Sequence, residues 1–262
     1  MLCCSFNMSS FYLTLPSFGT GNTIASFRTK LEEVIPVYGK WEVGLAEIIY
    51  PSTWMNVTEG KNWLRICYLD SYTTKEEQHD CYEGFKATRK VKPGYYTREE
   101  LVTEINCMLN AFINSELRER LAPCNKKFFV YKNGTVEYKG ADEIEFNMHP
   151  ALVDLLGFTE KEYKEEKLTS KLPLNPYPLN FYVYCNLIDP QHVGKGKAQL
   201  LGIVPCGTRD IKAVHHSTNP IAYFPLRYDT IDTVEMHIRD SNGELVPFES
   251  GHSVVKLHIR KI

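Results

Sequence analysis

The sequence lacks the short patterns that mark metal or nucleophilic chemistry. It contains no Cys-x-x-Cys pair, no paired Cys/His knuckle and no His-x-His, and neither His-Glu-x-x-His nor Gly-x-Ser-x-Gly occurs. Gly19-Thr20-Gly21-Asn22 is too short for a dinucleotide loop, and Val193-Gly194-Lys195-Gly196-Lys197 has the wrong spacing for a phosphate loop. Charge of one sign is also missing: 30 basic residues stand against 32 acidic ones, for a formal net charge of −2. That balance excludes coating a nucleic-acid backbone as the main role. No stretch reaches the apolar length of a membrane span. The first fifteen residues have no basic start, and Ser5, Asn7, Ser9 and Ser10 interrupt their apolar run. They make a poor export signal, and the expectation is a soluble, intracellular chain.

What is present suits a packed globular protein. The 262 residues are 43% hydrophobic and 12% aromatic, enough to bury a large core without disulfide or metal staples. The aromatic share leans toward strands and interfaces. Eight cysteines (Cys3, Cys4, Cys67, Cys81, Cys107, Cys124, Cys185 and Cys206) are too dilute for a disulfide framework and are expected as free thiols. The triplets at Asn56, Asn133 and their followers match a glycosylation pattern, as does Asn7-Met8-Ser9, but they read as turns or chance without an export signal.

Along the chain, β signals dominate. Phe11–Ser17, Trp41–Tyr50, Trp63–Leu69 and Gly84–Lys90 read as strands, with the charged loop at 71–80 between the last two. In Trp41–Tyr50 the apolar parity changes around Ala46, which predicts a bulge or a helix-side contact. Residues 97–121 predict a helix: Thr97 and Glu100 form a capping box, and Leu101, Ile105, Met108, Leu109, Phe112 and Ile113 make one stripe. Asn133-Gly134 predicts a hairpin between 126–131 and 135–139, Ile144–Asn147 a short strand, and His149–Phe158 a short helix with Pro150 at its start and Gly157 at its exit. Residues 159–180 are charged and then proline-rich, as in a long loop. Further strands follow at 182–187, 200–204, 221–226, 233–239 and 253–261. The last two alternate so clearly that they are expected to pair with each other. The class is an all-β sandwich or barrel with helical additions.

Candidate chemical groups are sparse. His215 and His216, with Asp210 or Asp229, have metal-ligand character, but neighbours on a strand point to opposite faces. Lys126-Lys127 beside Phe128-Phe129 suggests a base-stacking platform, and Lys195, Lys197, Arg209 and Lys212 enrich a second segment. Solvated lysines at hairpin ends are the favoured account of both. Trp41, Trp54 and Trp63 suit a sugar platform or ordinary packing. No catalytic residue, metal ligand or cofactor site is assigned.

Several blocks occur in a telling order: FYLTLPS, WEVGLAEIIYPSTW, HPALVDLLGF, FYVYCNLIDPQHVG and IRDSNGELVPFESGHSVVKLHIR. Together they resemble the minor capsid, or penton, proteins of Polinton (Maverick) elements and adintoviruses, from about Phe11 to Arg260. The resemblance implies an all-β single jelly-roll sandwich of two apposed four-stranded sheets, with a long inserted helix at about 97–121, a short helix, and a Pro-rich loop at about 159–180. Residues 1–10 would form an N-terminal arm and 11–262 one domain. It further implies a structural, non-enzymatic protein of the virion, soluble in the host cell before assembly. Its copies would form a homopentamer at the capsid vertex beside a double-jelly-roll major capsid protein, with no specific nucleic acid and no membrane span. The alternative on the same scaffold is an attachment or glycan-binding module. Core residues are expected at Trp41, Val43, Leu45 and Ile48, at Tyr182, Tyr184 and Leu187, and at Val255, Leu257 and Ile259. Contacts with other subunits are expected at 159–180, 191–199 and 1–10.

Overall fold

The computed structural model describes residues 9–68, 86–116, 125–139, 144–158, 169–170, 179–207 and 212–262. In chain order the elements are β1 (Ser10–Pro16), β2 (Ser26–Pro36), β3 (Trp41–Pro51), β4 (Trp63–Tyr68), β5 (Lys86–Lys90) and α1 (Arg98–Glu116). Next come β6 (Phe129–Lys132), β7 (Thr135–Tyr138), β8 (Ile144–Met148) and α2 (Pro150–Leu156). The chain ends with β9 (Asn180–Cys185), β10 (Gln191–Val193), β11 (Gly196–Ala198), β12 (Leu200–Pro205), β13 (Ala213–Ser217), β14 (Tyr223–Pro225), β15 (Thr230–Arg239) and β16 (Val254–Lys261). Two compact units result. The first joins Met1–Trp54 to Pro178–Ile262, and the second is the intervening Met55–Tyr177.

The first unit contains two main sheets. One runs β1-β16-β3-β13, with β14 also paired to β3, and the other runs β12-β9-β15-β2. Every pairing within them is antiparallel. With eight strands lettered B to I in chain order (β13 and β14 sharing one letter), these orders are B-I-D-G and F-E-H-C. This is the winding of a single jelly roll, as expected for the class.

The winding follows from alternation. On β16, Val255, Leu257 and Ile259 are fully buried, while Lys256 and His258 between them stay partly exposed. Val234, Met236 and Ile238 do the same on β15. Each such side chain contributes about 1.5–3 kcal/mol by leaving water. The two inner faces meet across the core, where the Tyr50 ring on β3 stands edge-on to Phe181 on β9 at 5.3 Å. The Tyr50 hydroxyl donates to the Pro205 carbonyl at 2.8 Å and accepts from the Gly207 N–H at 3.1 Å, tying β3 to the end of β12. Burial pushes this phenol up to about 12, against the pull of the Gly207 hydrogen bond.

Trp41, Val43, Leu45 and Ile48 are buried as expected, and the parity change has the form of a bulge. Lys256 of β16 faces Glu47 and the next residue, Leu257, faces Leu45, which leaves Ala46 without an opposite number. Odd residues therefore point inward before Ala46 and even residues after it. Two expectations need correction. On β9 the buried residues are Phe181, Val183 and Cys185, so Tyr182 and Tyr184 lie on the other face. Leu187 is buried as expected. Nor do β15 and β16 pair: β15 lies between β2 and β9, and β16 between β1 and β3. Their apolar faces meet the core from opposite sheets. Alternation fixes which side of a strand is dry but says nothing about its neighbour.

The second unit is built on its own core. β5-β4-β8 form a three-stranded sheet and β6-β7 a hairpin. Leu101, Ile105, Leu109, Phe112 and Ile113 of α1 are buried in one cluster with Leu64 and Ile66 of β4 and Leu152 and Leu156 of α2. The capping box is formed: the Thr97 N–H donates to Glu100 Oε2 at 2.7 Å, and the Glu100 N–H to Thr97 Oγ1 at 3.2 Å. Asn133 and Gly134 both adopt positive φ (53° and 82°), the primed turn that the hairpin requires. Gly157 ends α2 in the left-handed region. The reading of residues 11–262 as one domain thus meets a chain whose contacts gather about two cores, the second containing the predicted helices. The charged loop at 71–80, most of 159–180 and residues 117–121 lie outside the described residues.

Candidate functional site

A row of exposed and half-buried polar and aromatic groups lies on the outer face of the β1-β16-β3 sheet. The register brings it together: Tyr12 faces His258, His258 faces Gly44, and Gly44 faces Tyr223. Tyr12 stacks on the His258 imidazole at 4.5 Å between centroids. Tyr223 Oη lies 2.7 Å from His258 Nδ1 and reaches it past Gly44, which carries no side chain to intervene. A Cβ at Gly44 would stand 2.3 Å from Ile221 Cγ2 and 2.6 Å from the Ala222 carbonyl. Glycine is required here by close approach rather than by φ.

Charged pairs flank this row. The Arg260 guanidinium lies 3.6 Å from the Tyr223 ring centroid and also bonds Glu42. Lys256 lies 5.0 Å from the Tyr12 ring centroid and 3.3 Å from Glu47, and His215 Nε2 lies 3.5 Å from the other Glu47 oxygen. The hydrogen bond from Lys256 holds the Glu47 carboxyl below the usual carboxylate range, with His215 adding to it and partial desolvation opposing. These contacts link neighbouring strands across the outer face of the sheet. The polar side of β16 was readable from its alternation. The participation of Tyr12 and Tyr223 was not, because cross-strand register has no local signature.

The second feature is a groove on the other sheet. Between β2 and β15, Ile231 faces Ile35 but Thr233 faces Lys30, so Leu31–Val34 stand opposite Asp232 alone. Beside this irregularity lies an open hollow of about 560 Å³, lined by Arg28, Lys30, Val34, Tyr228, Asp232 and Glu235 among others. Farther along this sheet His237 Nδ1 lies 3.0 Å from Ser26 Oγ. Burial lowers the His237 pKa, Arg239 adds to that and Glu235 opposes it.

The candidate groups from sequence fare differently. His215 engages Glu47, whereas His216 sits in register with buried Ile48, so the two do not converge. Asp210 and Arg209 lie outside the described residues. Phe128 and Phe129 are both buried, which removes the base-stacking platform beside Lys126 and Lys127. Lys195 and Lys197 are exposed on the β10-β11 hairpin, and Lys212 is exposed ahead of β13. Trp41 and Trp54 are buried in the first unit, and Trp63 of the second meets His149 edge-on at 5.7 Å. They form core and packing contacts rather than a sugar platform. Among the described cysteines, Cys67, Cys107, Cys185 and Cys206 are free thiols, and burial pushes Cys185 and Cys206 up to about 12. Such thiols are poor nucleophiles. Among the described residues no three His, Cys, Asp or Glu gather as metal ligands, and no helix is long and apolar enough to cross a membrane.

Strand order and register thus define a jelly-roll protein carrying a second unit between its third lettered strand, β3, and its fourth, β9. Among solved structures, the chain is similar to the penton protein of mavirus, determined as a selenomethionine crystal structure. The TM-score is 0.48 at 12% sequence identity, over 97% of this chain and 100% of that one. No protein-family model and no curated protein matches the sequence. The fold assignment rests on the strand order.

Proposed function

We propose that this chain is a structural minor capsid protein whose copies close in fives at the vertices of an icosahedral shell. The shell would belong to a Polinton-like or adintovirus-like DNA element with a double-jelly-roll major capsid protein. The observation that carries the reading is the B-I-D-G and F-E-H-C strand order, with four of the five resembling blocks falling on its strands in sequence and HPALVDLLGF on α2 of the second unit. FYLTLPS lies on β1, WEVGLAEIIYP is β3, FYVYC is on β9, and the closing block spans the end of β15 to β16. Among the described residues the chain forms one jelly roll and one further unit, which suits a minor rather than a double-jelly-roll shell subunit.

The mechanism in this proposal is assembly rather than turnover. A fivefold ring needs one heterologous contact, repeated until it closes. The exposed β10-β11 hairpin within 191–199 remains a proposed contact, as do 159–180 and the N-terminal arm. Near-neutral net charge suits a protein that packs against other copies. Co-expression with the shell protein, followed by imaging of the particles, tests the proposal. Density of this chain at the fivefold positions is expected, and its absence from those positions in well-formed shells overturns the reading. Sedimentation of the purified chain adds a second measure, since five copies of 30.2 kDa give about 150 kDa.

A further inference from the structure

We infer that the groove beside the β2 irregularity is a saccharide-binding site, formed where Leu31–Val34 leave the ladder opposite Asp232. Its volume, about 560 Å³, falls within the roughly 300–1,000 Å³ of small-molecule sites. The chemistry of its walls selects the ligand class. Arg28 and Lys30 are matched by Asp232 and Glu235, so the lining carries no net charge. A polyphosphate or nucleic-acid backbone would meet two carboxylates there, and a cation two basic groups. Apolar ligands are equally ill served, because Val34 and buried Leu187 are the only aliphatic side chains in the lining.

Hydrogen-bonding groups of both polarities remain. Arg28 pairs with Glu235 at 3.4 Å across one side. The Asn186 side chain is used internally, accepting from the Glu235 N–H and donating to the Thr233 carbonyl, which holds β15 in place beneath the hollow. Lys30, Asp232 and the hydroxyls of Thr230 and Thr233 are then available to donate and accept around a ring of hydroxyl groups. Tyr228, 46% exposed, offers a ring face for the apolar side of a sugar. Arg227 lies 5.2 Å from that ring's centroid and also pairs with Asp189, which steadies the platform. An aromatic face beside opposed donors and acceptors in a concave, charge-balanced site fits a short, neutral or zwitterionic glycan better than a flat protein partner.

The test is a glycan array probed with the full chain, followed by titration of the best oligosaccharide into wild type, Y228A, D232N and the control K195A. Tyr228 and Asp232 are both exposed, so neither change removes a core contact. Selective binding weakened at least tenfold by Y228A and by D232N, and unchanged in K195A, supports the site. No retained glycan at millimolar concentration overturns it, as does binding that both variants preserve. Attachment to a glycoprotein that survives enzymatic deglycosylation places the determinant in polypeptide and overturns it too.

Discussion

The two units of this chain solve the same burial problem from opposite kinds of contact. In the first, neighbours in space come from the two ends of the described chain: Ser10 faces Arg260, and Trp41 faces Lys261. In the second, much of the order is local. Lys132 faces Thr135 across a two-residue turn, and the Asn106 side chain of α1 bonds the backbone of Phe129 on both sides, at 2.7 and 3.1 Å. The first unit depends chiefly on register, whereas the second adds caps and turns to a distant ladder, where Leu64 faces Met148. The same substitution class should therefore have different consequences in each.

The largest expected effects come from emptying either core. Leu257→Ala and Ile105→Ala each remove a fully buried side chain and are expected to cost about 2–5 kcal/mol. Hydrogen-exchange mass spectrometry in rising urea should show Leu257→Ala loosening the jelly-roll strands and Ile105→Ala loosening 55–177. Equal loss of protection in both units from either change would show that the two cores open together. Next comes Gly44→Ala, whose new methyl would press on Ile221 and the Ala222 carbonyl. A loss of about 1–3 kcal/mol is expected from overpacking, measured as a lowered urea midpoint with an unchanged slope.

Smaller effects test the local unit and the titrating groups. Thr97→Ala breaks the capping box and should cost about 0.5–2 kcal/mol, with faster amide exchange in the first turn of α1 as its signature. A spread of that loosening to β15 or β16 would contradict a local role. The smallest effect concerns His237, whose folded-state pKa lies below its ordinary value. Its contribution is fully present above about pH 6.5 and is lost as pH falls through the lowered pKa, because the unfolded chain takes up the proton first. Melting temperatures recorded between pH 7.5 and 5 should fall less for His237→Gln than for wild type, and an identical slope would remove His237 from the account.

Legibility in the sequence follows the same division. In the second unit, the Thr97-Glu100 box, the Asn133-Gly134 turn and Gly157 carry their conformations within a few residues, and all three form as expected. In the first unit, alternation on β15 and β16 identified the dry faces and the Ala46 parity change located the bulge. Partner choice stayed hidden: β15 and β16 sit in different sheets, although a turn-rich connection had suggested a hairpin. On β9, Phe181 and Tyr182 are both aromatic, so composition gave no phase, and the chain buries Phe181. The surface row from Tyr12 to Tyr223 and the groove beside Asp232 depend on register alone, and no local pattern announces either.

One feature of the core bears on the segment between β3 and β9. Trp54, the last residue of the first unit before the inserted segment, stands edge-on to Phe181 at 5.6 Å, and Phe248 packs against the same ring at 5.9 Å. The strand that leaves the sandwich and the strand that re-enters it are thereby clasped together by side chains of the sandwich itself. Lengthening a closed loop is inexpensive, about 0.6 kcal/mol per doubling, once its ends are held. With its ends so held, the segment between Trp54 and Phe181 closes its loop at a cost that changes little with its length.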